Sequence, residues 1–168
     1  LYELMFRELF EFRFVQTDPN FANYLYLPAT QQVALLDLGS AGEYPAALVA
    51  SYRDACRAML AGNDTALREA MFAIGYAHPD DPEAMIRNAA DIIRLACEPL
   101  VQRGPYDFAA SGLAVRARDL GLAVAFGKGL RSPPPATMFL HRKLIGTFLI
   151  CVKLRARVNV HAIIEKFL

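Results

Sequence analysis

Three side chains within the first 40 residues have the types and the loop placement that phosphoryl transfer uses: Asp18, Asn23 and Asp37. In sites of that kind an aspartate following a helix orients or deprotonates the attacking hydroxyl or water. An asparagine five positions later supplies an amide oxygen to a metal ion, and a short hairpin then leads to a second aspartate on the metal. Magnesium suits such a sparse set, because it prefers hard oxygens in octahedral geometry and takes its other ligands from phosphate and water. Gly39 is expected to let the backbone turn so that the Asp37 carboxylate faces the phosphates, with Leu38 packed inward.

Taken singly, DPNxxN is a turn and DLG a strand end, and each occurs in many unrelated chains. The information lies in the order: an apolar helix, a D-x-x-x-x-N loop, a hairpin of matching length, then VALLDLG. Other polar residues read more simply. His141 is expected to be a hydrogen-bonded structural residue, while His78 and His161 stand alone without the second ligand that zinc requires. Asp80 and Asp81 are expected to cap the helix that begins at Pro82. Lys153, Arg155 and Arg157 end a helix, where they face solvent or touch an anionic lipid surface.

The elements that must hold the three residues follow from periodicity. Leu1, Leu4, Met5, Leu9 and Phe12 recur at helical spacing, and Phe6, Phe10 and Phe14 widen the stripe until the helix reads as buried over much of its circumference. Pro19 takes Asp18 out of the helical region. Runs over 24–27 and 33–36, separated by a Pro-containing turn, predict the hairpin. Helices follow from Pro45 to Gly62, from Asn63 or Asp64 to Gly75, and from Pro82 to the 103–105 stretch. A further helix is capped by Ser111, a long one runs from about 136 to 157 after three prolines, and a short one is capped by Asn159. The predicted fold class is mainly α (α+β), with residues 1–45 carrying the chemistry and residues 46–168 the helical support of a single domain.

Composition narrows the partners. Eighteen basic and seventeen acidic residues leave a net charge of +1, without the basic field that a nucleic-acid binder uses. The apolar run over 144–152 is too short to span a bilayer. Cys56, Cys97 and Cys151, far apart and set among apolar neighbours, read as buried thiols in a reducing compartment. Leu1 opens directly into helical pattern, so the chain is expected to be the later part of a longer protein.

The residues also match a family. FEFRFVQTDPNFANYLY followed by VALLDLGSAGEY resembles the catalytic and metal-binding loops of the UbiB/AarF family of atypical kinase-like ATPases. SPPPATMFLHRKLIGTFLICVKLRARV is similar to that family's C-terminal PPP…LHRK helix, and GPYDFAASGLAVRARDLGL to the stretch before it. The resemblance implies the C-terminal lobe of a protein-kinase-like fold, with Asp18 as the catalytic-loop aspartate and Asn23 and Asp37 as ligands of Mg2+ and, through it, of ATP.

It further implies a role in ubiquinone (isoprenoid quinone) biosynthesis, with a lipid or quinone precursor and ubiquinone-biosynthesis enzymes as partners and peripheral membrane contact. The location implied is the bacterial cytoplasmic side, or the mitochondrion in a eukaryote. Leu38 stands where many members have Phe, and Gln16 where ordinary kinases have His. A Gly-rich loop, a strand lysine and the KxGQ segment do not occur in these residues, so the nucleotide-binding lobe is expected outside them. Two other readings stay open. One is a non-catalytic nucleotide- or lipid-binding scaffold, and the other a small-molecule phosphotransferase of the aminoglycoside or choline kinase type.

Overall fold

A computed structural model describes residues 1–126 and 131–168. The chain opens with α1 (Tyr2–Arg7), which widens without a break into a π-helical turn over Glu8–Phe12 and ends at Arg13 in the left-handed conformation (φ 54°). The wide turn adds a residue to the helical repeat and shifts its phase. Phe12, expected on the buried stripe, is therefore 59% exposed, and Phe14 also faces solvent. The inner face is an aromatic cluster: the Tyr2 ring lies 5.9 Å from Phe6 and 5.5 Å from Phe108, and Phe6 lies 6.0 Å from Phe167.

Strand β1 (Phe14–Gln16) comes next, then a 3₁₀ turn over Phe21–Asn23, the hairpin of β2 (Tyr24–Leu27) and β3 (Gln32–Leu35), and β4 (Ala41–Glu43). The hairpin lies where periodicity puts it, with β3 one residue earlier than expected. β1 pairs antiparallel with β4, Gln16 opposite Ala41, and β2 pairs with β3, Tyr24 opposite Leu35. One ribbon is thus nested inside another. Residues 17–23 and 36–40 form the two arms between them, and the outer ribbon is locked at its rim by Thr17, whose N–H and hydroxyl both donate to the Ser40 carbonyl.

The rest is helical: α2 (Ala46–Ala61), α3 (Asp64–Ile74), α4 (Glu83–Ala96), α5 (Glu98–Val101), α6 (Leu113–Phe126), α7 (Pro135–Lys153) and α8 (Val160–Ile164). Gly62 and Gly75 end α2 and α3 at positive φ, and Asn63 and Asn159 cap the helices after them through their side-chain oxygens. A third ribbon joins β5 (Tyr106–Asp107) to β6 (Arg157–Val158).

Two helices are shorter than periodicity suggests. α4 stops at Ala96, because Pro99 has no N–H to continue the ladder, and the chain restarts as α5. α7 stops at Lys153, where Arg155 turns left-handed (φ 49°) and the Ala156 N–H reaches back to the Cys151 carbonyl. The core gathers the inner faces of α1, α2, α3, α7 and α8. Arg53 of α2 fastens the π turn by donating to the carbonyls of Phe10 and Phe167, each at 3.0 Å. The fold is mainly α with small antiparallel ribbons.

Candidate phosphoryl-transfer site

Asp18 and Asn23 sit on the first arm and touch. Asn23 Nδ2 donates to Asp18 Oδ2 at 3.1 Å and to the Asp18 carbonyl at 3.2 Å, so the amide oxygen of Asn23 faces away from the aspartate. Gln16 Nε2 donates to the same carbonyl at 2.7 Å. Asp37 lies on the second arm. The Leu36 N–H donates to the Asn23 carbonyl at 2.9 Å and so brings the start of that arm against Asn23. Asp37 Oδ1 accepts the Gly39 N–H at 2.7 Å in a tight turn that leaves Oδ2 outside it. A side chain at Gly39 would press on Asp37 Oδ1 at 3.0 Å, so the glycine gives the carboxylate its room.

Leu38, expected to pack inward, is 61% exposed, because the turn at Gly39 carries its side chain away from the core. The donor set is one carboxylate and one amide oxygen. Among the described residues no cluster of three or more His, Cys, Asp or Glu could hold a metal. A pair of hard oxygens is the arrangement that suits an ion keeping water and phosphate oxygens around it.

Helix α7 forms a second wall that periodicity alone does not reveal. Arg142 Nη2 meets Asp18 Oδ1 at 2.5 Å across 124 residues of sequence. One turn later the backbone of Gly146 lies against Pro19, so close that a Cβ there would stand 2.5 Å from Pro19 Cβ and closer still to its Cγ. Lys143 points inward beside them. Its side chain is 2% exposed, and Nζ lies 2.9 Å from Glu8 Oε2, a carboxylate 6% exposed. Burial pushes the Glu8 carboxyl above its ordinary range, an effect Lys143 partly offsets.

The neighbouring residues of the LHRK segment are also engaged. His141, expected to be structural, is hydrogen-bonded through Nε2 to the Tyr76 hydroxyl, which meets the Tyr52 hydroxyl at 2.5 Å, and burial pushes its pKa down. This chain joins α7 to the turn after α3 and to α2.

Other residues take places that differ from expectation. Asp81 does not cap α4. It accepts the His78 N–H at 2.7 Å, closing a turn one residue before the proline, and pairs with Arg131 at 2.7 Å. His161 bonds the Leu100 carbonyl at 2.7 Å. Lys153 lies over the Phe21 ring at 4.6 Å, and Arg157 faces Asp107. Arg142, Lys143, Gly146 and Glu8 are the site residues missed by sequence reasoning. The signal for the three on α7 is the polar HRK triplet and a mid-helix glycine in an otherwise apolar run; Glu8 carries none.

Residues 1–71 match the ABC1 atypical kinase-like domain. The chain is 36% identical to rat "Atypical kinase COQ8B, mitochondrial" over 94% of its own length and 30% of the relative's. It is 34% identical to "Atypical kinase COQ8, mitochondrial" of Schizosaccharomyces pombe over 91% of its length and 25% of that protein. A third relative is "Probable serine/threonine-protein kinase abkA" of Dictyostelium discoideum, 29% identical over 98% of this chain and 30% of the relative. The chain therefore spans under a third of the length of these curated relatives.

Proposed function

The chain belongs to the ABC1 atypical kinase-like family, and from that premise we propose that its two arms form the catalytic and metal-binding half of a Mg2+- and ATP-dependent phosphoryl-transfer site. The observation that carries this reading is the contact between Asp18 and Asn23, together with the backbone bond that sets the Asp37 arm against Asn23. Asp18 orients the attacking water or hydroxyl. Asn23 and Asp37 supply the oxygens that would hold magnesium, which when bound neutralises charge on the nucleotide phosphates.

In this reading residues 1–168 form one C-terminal lobe, with the arms in residues 1–45 and their support in 46–168. The lobe that grips the α and β phosphates lies outside this chain, so the isolated 168 residues bind nucleotide weakly and turn over little. The process served is isoprenoid quinone (ubiquinone) biosynthesis, with a lipid or quinone precursor and enzymes of that pathway as partners. The location is mitochondrial in a eukaryote, as the names of two relatives say of those proteins, and the cytoplasmic side of the membrane in a bacterium.

Arg142 favours this assignment over a small-molecule phosphotransferase, because the LHRK segment belongs to the site itself. The test is magnesium-dependent ATP hydrolysis by the full-length protein. Turnover lost in both Asp18→Asn and Asp37→Asn, with metal-dependent nucleotide binding lost chiefly in Asp37→Asn, supports these roles. Unchanged turnover in the variants sinks them. Nucleotide binding without wild-type turnover moves the assignment to a scaffold.

A further inference from the structure

Lys143 Nζ, besides facing Glu8, lies 3.4 Å from Gln16 Oε1 and 3.4 Å from the Tyr24 hydroxyl, with the Tyr24 ring 6.0 Å away. Gln16 is two residues before Asp18, and Tyr24 follows Asn23 directly. The ammonium therefore holds the chain at both ends of the Asp18 arm, from beneath it. Gln16 is itself 1% exposed.

A lysine has only donors, whereas a carboxamide has an oxygen that accepts and a nitrogen that donates. With Nζ on one side, the amide oxygen of Gln16 must turn toward it, and the NH2 group must then turn outward. That NH2 group makes the 2.7 Å bond to the Asp18 carbonyl. The opposite amide orientation would set the carboxamide oxygen against that carbonyl and leave the ammonium facing an NH2 group. The charge on Lys143 thus selects a single orientation of Gln16, and Glu8 keeps that charge in a dry place where it otherwise has a high cost.

We propose that Lys143 is a positioning residue for the Asp18 arm, acting through the orientation of the Gln16 carboxamide, with Glu8 as its counter-charge. This rests on the phosphoryl-transfer reading of the site. Ordinary kinases place a histidine where Gln16 stands, and here a glutamine together with a distant lysine takes over the support of the loop. The reach from α7 lets three consecutive residues engage different surroundings: His141 meets Tyr76 in the turn after α3, Arg142 the Asp18 carboxylate, and Lys143 both Glu8 and the two ends of the Asp18 arm.

The test uses the full-length protein and two variants. In the exchanged pair Glu8→Lys/Lys143→Glu the ion pair survives, but a carboxylate now faces Gln16 and draws its NH2 group inward. In Gln16→Glu the lysine keeps a partner, while the donor to the Asp18 carbonyl is gone. The expected result in each is kcat for ATP hydrolysis reduced ~10-fold or more with KM for MgATP within about twofold; the exchanged pair keeps a melting temperature near wild type, while Gln16→Glu, which buries a second carboxylate, melts lower. Unchanged kcat in Gln16→Glu overturns the proposal, as does a loss of kcat that only follows a loss of melting temperature in both variants.

If wild type shows no turnover, the reading of the site fails and amide hydrogen exchange decides this inference by itself. Faster exchange over residues 17–24 with α7 still protected supports it, and an unchanged pattern overturns it.

Discussion

The two arms of the site are built in different ways. The Asp18 arm is tied to residues far away in sequence: Arg142 at its carboxylate, Gly146 against Pro19, and Lys143 beneath both of its ends. The Asp37 arm is held by the Leu36 N–H on the Asn23 carbonyl, by Thr17 donating to the Ser40 carbonyl at its end, and by its own turn at Gly39, and Leu36 and Leu38 on it face solvent. One aspartate is placed by the core and the other by a local turn. In the proposed function Asp18 orients the nucleophile, and such a group gains from rigidity, since small misplacements cost much rate. In the proposed function Asp37 shares a metal ion with phosphates, and a group held by a local turn is suited to following the nucleotide.

Substitutions that load one arm and spare the other test the contrast, with expected effects on stability that fall from several kcal/mol to a fraction of one. Lys143→Ala strands the Glu8 carboxylate in the core and should cost about 3–5 kcal/mol, read from chemical denaturation. A loss below about 1 kcal/mol would mean that the first arm is not tied to the core through this pair. Gly146→Ala drives a methyl into Pro19 and should cost about 1–3 kcal/mol despite the better helix propensity of alanine. Its turnover should fall with Asp37-dependent magnesium binding intact.

His141 tests the same wall by pH. Its folded pKa is pushed below the ordinary 6.5, so the unfolded chain binds the proton more readily. The stability it contributes is present above pH 6.5 and is lost as pH falls through that value toward the folded pKa. The melting temperature should therefore drop more steeply over that interval in wild type than in His141→Phe.

Arg142→Met removes a half-exposed ion pair and should cost below about 1 kcal/mol, with salt screening most of even that, while altering turnover. Asp37→Asn should leave stability within about 0.5 kcal/mol of wild type. On the proposed role, nucleotide-binding titrations should show magnesium dependence weakened ~10-fold or more, as expected of losing a charged ligand. Comparable stability losses for Asp37→Asn and Lys143→Ala would erase the distinction between the arms.

The same contrast explains what was legible in the sequence. The order Asp18, Asn23, hairpin, Asp37 is local, and glycine and asparagine mark the ends of α2, α3 and α8 through conformations few other residues favour. Long-range ties left no such mark. Glu8 sits where an amphipathic helix usually shows a charge to water, and its burial follows from a lysine 135 positions away. The π turn has no composition of its own, so Phe12 read as core. The strands β1 and β4, three residues each and with no alternation across them, are set by the closure of the loop between them more than by side-chain pattern.

The nested ribbons also bear on the order in which the chain assembles. Joining Gln16 to Ala41 directly would close a long flexible segment, whereas a chain already zipped between Tyr24 and Leu35 has only the two arms left to close, roughly half the length. Halving a loop saves about 0.6 kcal/mol of chain entropy. The hairpin should thus form first, on the microsecond scale of isolated hairpins, and the outer pairing second. Lengthening the Pro28 to Gln31 turn would slow the closing of a ribbon it never touches.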